Sequence, residues 1–265
     1  MITASFEDVI RISSNLPIFI KPEEPLIEVA FIVGVAKKTN AIVTDYSGKV
    51  LGEVSSYDLI QAAIKNRRDI WKALYSTKVS DVAHEVFEVE AGEPLQIYYD
   101  RIRNSKFSSA LVFYNEKPLS LLTPLEIIPY LIKEGKLKNL RAEVIASEVK
   151  RVNPEITVLQ AIEMMVNWWK RKLVIENKVI TDRGIVEKGT FSIQMLNALA
   201  KDPGSVLGMK VKELPGIFMY PAFFDYEESA ESVAEKVLRT ECYAALSEDG
   251  SKIITPYDLA VKPFI

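Results

Sequence analysis

One order of elements recurs four times along the 265 residues, and this recurrence limits the fold more than any other feature. In the first pass, residues 17–20 read as a strand, 21–25 as a turn and 26–36 as a nearly all-apolar helix. Residues 41–44 form a second strand, Asp45-Tyr46-Ser47-Gly48 a turn and 49–54 a third strand; Ser55-Ser56-Tyr57-Asp58 then opens a helix over 59–64. The second pass has strands at 86–89, 110–114 and 118–122, a helix at 95–103, and the closing Thr123-Pro124-Leu125-Glu126. The third has strands at 149–152, 173–176 and 179–180, a helix at 158–169, and Thr181 at its close. The fourth has a strand at 217–220, Pro221 in the turn, a helix at 228–239, a hairpin of 243–246 and 253–254, and Thr255-Pro256-Tyr257-Asp258.

A single unit of this size cannot cover both faces of its own sheet, so units must pair. The charged, glycine-containing stretch 133–138 divides the chain near its middle. The expected fold is α+β, with four βαββα units arranged as two pseudo-twofold pairs. Pair one spans 1–134, with repeats at about 8–66 and 78–134. Pair two spans 140–265, with repeats at about 143–200 and 209–265.

Composition narrows the function. Hydrophobic residues make up 48%, enough for a substantial core. The net charge of −3, from 33 basic and 36 acidic side chains, argues against a dedicated nucleic-acid binder, which needs a basic excess. A lone cysteine, Cys242, rules out an intrachain disulfide and fits a reducing compartment. The opening MITASFEDVI lacks the basic start and apolar run of a signal peptide. The apolar run 25–36, interrupted by Glu28, is too short to span a bilayer. The expected location is the cytoplasm, without membrane contact. One histidine, His84, and one cysteine leave little for a nucleophile–base pair or a zinc site. The reading is therefore non-enzymatic, without metal or cofactor.

The chemistry concentrates where the last strand of each hairpin meets its helix. Three corners fit [ST]-x-x-[DE]: Ser55 with Asp58, Thr123 with Glu126, and Thr255 with Asp258. This is the pattern of a helix capping box, and Pro124 and Pro256 stand at the favoured first helical position. The same geometry also suits a nucleotide. Free amides and a hydroxyl at a helix N-terminus can take phosphate, and an ionised carboxylate can accept from ribose hydroxyls. The two readings do not exclude each other.

The repeat order, the DYSGKVLGEVSSYDL stretch and the recurring hydroxyl–x–x–acid corner resemble CBS domains, over nearly the whole chain. The resemblance is strongest in repeat one, through Gly48, Gly52, Ser55 and Asp58, and good in repeat four, through Gly250, Thr255, Pro256 and Asp258. It implies a sensor that binds an adenosine-type ligand (AMP, ADP, ATP or S-adenosylmethionine) in clefts between paired repeats. Asp58 and Asp258 would accept from ribose, and Ser55 and Thr255 would hold phosphate. In repeat two, Glu126 replaces the aspartate beside Thr123. In repeat three, Gly184 stands where the acid belongs after Thr181, and Asp182 faces another way.

The resemblance also places small side chains and backbone ahead of the middle strand beside adenine: Thr39, Asn40 and Ala41; Ser109 and Ala110; Lys170, Arg171 and Lys172; Tyr243 and Ala244. Residues leading into each first strand would line the same pockets, with Ile18, Val86, Val149 and Phe218 as the approximate matches. The basic trio Lys170-Arg171-Lys172 is expected to assist with phosphate; its plain alternative is a solvated helix end. Four repeats in one chain are similar to the regulatory γ subunit of AMP-activated kinase, which implies a regulated protein partner; a homodimer stays open. A ligand-free scaffold is the competing reading, supported by the missing acid of repeat three. Trp168-Trp169, Tyr98-Tyr99, Met164-Met165 and Cys242 read as packing residues.

Overall fold

The computed structural model describes residues 4–67, 69–103, 105, 108–214 and 216–265. A short helix α1 (Phe6–Ile10) precedes repeat one, which runs β1 (Phe19–Ile20), α2 (Ile27–Ala36), β2 (Asn40–Thr44), β3 (Val50–Ser55) and α3 (Ser56–Lys65). After α4 (Ile70–Ser76), repeat two comprises β4 (Phe87–Glu90), α5 (Gln96–Ile102), β5 (Ala110–Tyr114), β6 (Lys117–Leu122) and α6 (Pro124–Lys133). The segments α7 (Ala142–Ile145) and β7 (Ser147–Glu148) lead to repeat three: α8 (Val158–Trp168), β8 (Lys172–Ile175), β9 (Lys178–Thr181) and α9 (Asp182–Glu187). Helices α10 (Ile193–Lys201) and α11 (Pro203–Gly208) lead to repeat four: β10 (Ala222–Phe224), α12 (Ala230–Leu238), β11 (Ala245–Ser247), β12 (Lys252–Ile254) and α13 (Pro256–Ala260).

Turn chemistry closes each hairpin. In repeat one, Asp45 Oδ1 accepts from the Ser47 and Lys49 amides at 2.8 and 2.9 Å, and Gly48 takes the left-handed φ of 89°. Repeat four does the same with Asp249, which accepts from Ser251 N at 2.9 Å, next to Gly250 at φ 66°. Repeat two instead uses a two-residue turn with Asn115 and Glu116 both at positive φ, the geometry that matches strand twist.

In repeats one, two and four the first strand pairs in parallel with the middle one, which pairs antiparallel with the last. Two expected strands are placed differently. Repeat three has no first strand beyond a single parallel bridge, Arg151 to Val174. Its upstream residues are already spent on β12, and the Asn153-Pro154 turn follows at once. In repeat four the first strand is Ala222–Phe224, not 217–220. Met219 exchanges both backbone hydrogen bonds with Val179 of β9 instead, at 2.8 and 2.9 Å. Both stretches are apolar, and pattern alone cannot choose between them.

The chain forms two compact units, and it passes between them four times. One unit holds the residues up to Pro17, Val86–Val149 and Pro221–Ile265; the other holds Ile18–Glu85 and Lys150–Tyr220. Repeats two and four thus share one core, and repeats one and three the other. The first core gathers Phe6, Val9, Tyr98, Tyr99, Leu131 and Leu137 with Phe224, Val233 and Leu259. The second gathers Leu26, Val33, Leu59 and Ile60 with Ile162, Met165, Leu173 and Phe191. Helix α1 belongs with repeat two: the Leu95 amide bonds Ala4 O at 2.7 Å and Phe6 N bonds Glu93 O at 3.1 Å. Among the described residues, no helix is long and apolar enough to cross a membrane.

Each crossing follows an edge pairing of one kind. Asn15 joins β6 through Leu121, His84 joins β3 through Glu53, Ser147 joins β12 through Ile253, and Met219 joins β9 through Val179. In every case the chain then enters the first strand position of the other unit.

Candidate functional site

All four corners are built alike. Ser55, Thr123, Thr181 and Thr255 cap their helices with φ between −132° and −118° and ψ between 156° and 173°, so the repeated hydroxyl stands for a repeated backbone geometry. What differs is the group each hydroxyl meets.

In corner one, both the amide and the hydroxyl of Ser55 donate to Asp58 Oδ2, each at 2.7 Å. His84 Nδ1 lies 3.5 Å from the same oxygen. Among the described residues, Asp58 Oδ1 takes no hydrogen bond. Asp58 is 7% exposed. Asn40 stands directly opposite Ser55 across the β2–β3 ladder and donates to the wholly buried Glu53. Ser56 N bonds Thr39 O at 3.0 Å, and Ile42 N bonds Ile18 O at 2.7 Å. Thr39 and Asn40 thus adjoin the corner, while Ala41 lies opposite Val54 in the core and Ile18 pairs on the far edge of β2.

Corner four repeats the motif with a tighter hold on the acid. Thr255 N and Oγ1 donate to Asp258 Oδ2 at 2.8 and 2.7 Å, and Ser147 Oγ donates to Oδ1 at 2.5 Å. The Lys262 ammonium braces this edge through Ile145 O and Ala146 O at 2.8 and 3.0 Å. Ala244 precedes β11 opposite Thr255, with Tyr243 before it at φ 46°. In corner two, Thr123 N donates to Glu126 Oε2 at 2.8 Å and the Thr123 hydroxyl donates to the same oxygen. The longer acid thus closes the box as aspartate does. Ala110 opens β5 opposite Leu122, with Ser109 just before it.

Corner three carries no acid of this kind, and Met219 occupies the space. A Cβ on Gly184 would lie 3.0 Å from Met219 Cε and 3.2 Å from Thr181 Oγ1, which already accepts from Gly184 N at 2.8 Å. Asp182 turns elsewhere. Its Oδ2 accepts from Ser56 Oγ at 2.8 Å and from Arg171 Nε and Nη2 at 2.8 and 2.6 Å. Burial pushes the Asp182 carboxyl up, but the Arg171 guanidinium and the Ser56 hydroxyl outweigh it and hold the group below the ordinary aspartate value. Arg171 is thus already paired. Lys170 is exposed after helix α8, where its amide caps Met165 O at 3.0 Å, and Lys172 opens β8 opposite Thr181.

Two expected lining residues fall outside their corners. Val149 bonds Ser251 O at 3.1 Å and continues the edge of β12, while Phe218 lies under the Lys178 ammonium, 5.2 Å from the ring centroid. By register, the places matching Ile18 belong to Lys150 and Ala222, and in repeat two to Phe87 rather than Val86.

The sequence reading missed Glu53, Ser147 and Met219 as corner residues and found no partner for His84. Their edge roles depend on pairings between distant segments. Only Glu53 left a local trace, as an acid inside an otherwise apolar strand. Among the described residues, no group of three or more His, Cys, Asp or Glu is placed to hold a metal ion.

A family model described as CBS domain matches residues 7–65. No curated protein matches the chain. A protein of Methanocaldococcus jannaschii, proposed as an archaeal homologue of g-AMPK, superposes with a TM-score of 0.80 at 18% identity, covering 97% of this chain and 99% of that one. An uncharacterized conserved protein of Pyrococcus horikoshii superposes at 0.58 and 14% identity, covering 99% and 100%. The CBS domain thus matches the first repeat, and the chain over its full length shares the fold of these two proteins.

Proposed function

We propose that this chain is a non-catalytic regulatory protein that binds an adenosine-type ligand, with corner one as its principal site. The observation that carries this reading is the state of Asp58: a buried carboxylate held at Oδ2 by Ser55, with Oδ1 unclaimed among the described residues. An ionised carboxylate held in this way is an acceptor for vicinal ribose hydroxyls. The N-terminus of α3 adds amides and partial positive charge beside it. Asp258 offers the same acceptor once Ser147 yields, so corner four is the weaker site. The four-repeat fold shared with a protein proposed as a g-AMPK homologue supports a regulatory role towards a partner protein.

Native mass spectrometry of the purified chain should reveal a retained adenosine compound, and calorimetry should give binding with at least one of AMP, ADP, ATP and S-adenosylmethionine. Asp58→Ala should weaken that binding by roughly 10- to 100-fold, the usual cost of a lost charged hydrogen bond. Heat unchanged by Asp58→Ala would place the ligand elsewhere. The filled corner three and the engaged Asp258 favour a second reading, a ligand-free scaffold. It requires a melting temperature indifferent to every adenosine compound, together with a stable co-purifying partner. Light scattering on the same sample would decide between monomer and dimer.

A further inference from the structure

Trp168 and Trp169, which the sequence reads as packing residues, lie at the surface, 39% and 57% exposed. They close α8 of repeat three. The other repeats close the matching helix on a cation: Lys37 after α2, Arg103 after α5 and Arg239 after α12. The fold therefore does not call for an aromatic there. Trp169 also takes a left-handed φ of 53°, which glycine adopts without cost and a bulky side chain does not. Tyr57 supports one side of its ring at 6.2 Å between centroids, yet more than half of the residue still faces solvent. The Lys150 ammonium stands 5.8 Å from the ring centroid of Trp168, and Lys170 follows Trp169 directly. Both lysines are exposed, and neither makes an ion pair among the described residues. Glu163, the one acid of α8, is held by Arg67 at 2.9 Å.

Resting on the reading of the chain as a regulator of a partner protein, we propose that Trp168, Trp169, Lys150 and Lys170 form the docking surface for a short acidic segment of that partner. Exposed tryptophans anchor interfaces because a large, stiff ring leaves water at little cost in conformational entropy. The two lysines beside them attract carboxylates and so set the sign of the partner. Two rings and two cations suit an extended segment of a few residues, not a folded domain, which buries far more surface. A membrane would need a broader apolar face, yet Val158, Ala161, Ile162 and Met165 of α8 are buried in the core. A nucleic acid would need more cations than these, on a chain whose net charge is −3.

Selection from a displayed library of short random peptides on the full chain tests this. The expected winners carry aspartate or glutamate beside an apolar residue. Measured by fluorescence anisotropy, their affinity should fall at least about tenfold in Trp168→Ala and in Lys150→Glu. It should also weaken from about 0.05 to about 0.5 M salt, because exposed charges are screened. Thermal melting checks that the variants fold; should Trp168→Ala not fold, Lys150→Glu combined with Lys170→Glu carries the test, since both side chains lie in solvent. No winners, winners without acids, or binding unmoved by the folded variants overturns the inference. So does tighter binding of phosphatidylserine vesicles or of oligo-uridine than of the peptides. The regulatory reading stands through each of these outcomes as long as a partner co-purifies or an adenosine compound binds. It falls only when both are absent.

Discussion

Asp182 and Arg171 do at residue scale what the basic trio was expected to do for a ligand: they spend the cation inside the protein. Removing the guanidinium by Arg171→Gln leaves the buried Asp182 carboxylate with the Ser56 hydroxyl and the weaker field of Lys172. It should cost about 2 kcal/mol, below the usual buried-pair range because the arginine is partly exposed. The folded-state value of Asp182 is depressed. The pair's contribution is therefore present above the unfolded aspartate value of about 4 and is lost as the pH falls through the depressed value. Urea midpoints of wild type and Arg171→Gln should differ at pH 7 and converge towards pH 2. Gly184 gives a second residue-scale test. Gly184→Ala should cost about 1 kcal/mol by overpacking, and less in a Met219→Ala background, with a coupling of at least about 0.5 kcal/mol in a double-mutant cycle. The hydroxyl and acid positions were legible from the chain because the capping box is local, closing within three residues. Met219 and His84 were not, since 35 and 26 residues respectively separate them from Gly184 and Asp58.

At the scale of elements, edge pairings bring His84 to the acid of corner one and Ser147 to that of corner four, and put Met219 in the place of the acid at corner three. Gly52 permits the one at β3. Its φ is 153°, and a Cβ there would stand 2.5 Å from the His84 carbonyl oxygen. Gly52→Ala should break the Glu53–His84 bridge, cost roughly 2–4 kcal/mol, and withdraw His84 from Asp58. Hydrogen exchange would show this as lost protection at the Glu53 and His84 amides with the β2–β3 ladder retained. The hairpins and the helix after each first strand were readable within a residue or two, from apolar period and from turns such as Asp45 to Gly48, whereas α1, α4, α10 and α11 between the repeats were not read. The first strands were read poorly in repeats three and four. Residues 217–220 are as apolar as Ala222–Phe224, yet Met219 serves as the edge of β9, and the polar pair Ser147 and Glu148 lines β12 in place of entering repeat three.

For the whole molecule, order along the chain and packing in space divide the repeats differently. Chain order joins repeats one and two, and the edge pairings link the same neighbours, yet each hydrophobic core draws on both halves of the sequence. Leu137, inside the charged stretch that reads as a boundary, is itself fully buried. A fragment ending at residue 134 would keep Phe6, Tyr98 and Leu131 without Phe224, Val233 and Leu259, and Leu26 and Leu59 without Ile162 and Phe191. It should lack a cooperative melt when expressed alone, and calorimetry should recover one when the complementary half is added.

By itself the sequence determined the repeating unit, its turns and its four capped corners, because propensity, apolar period and capping chemistry act over a few residues. Only the tertiary structure decided which acid is open, which is engaged and which space is filled. That choice rests on where Ser147, His84 and Met219 return along the sheet edges, and on the pairing of Arg171 with Asp182 beside corner one. Such contacts are set by strand register between distant segments, which local sequence pattern does not encode.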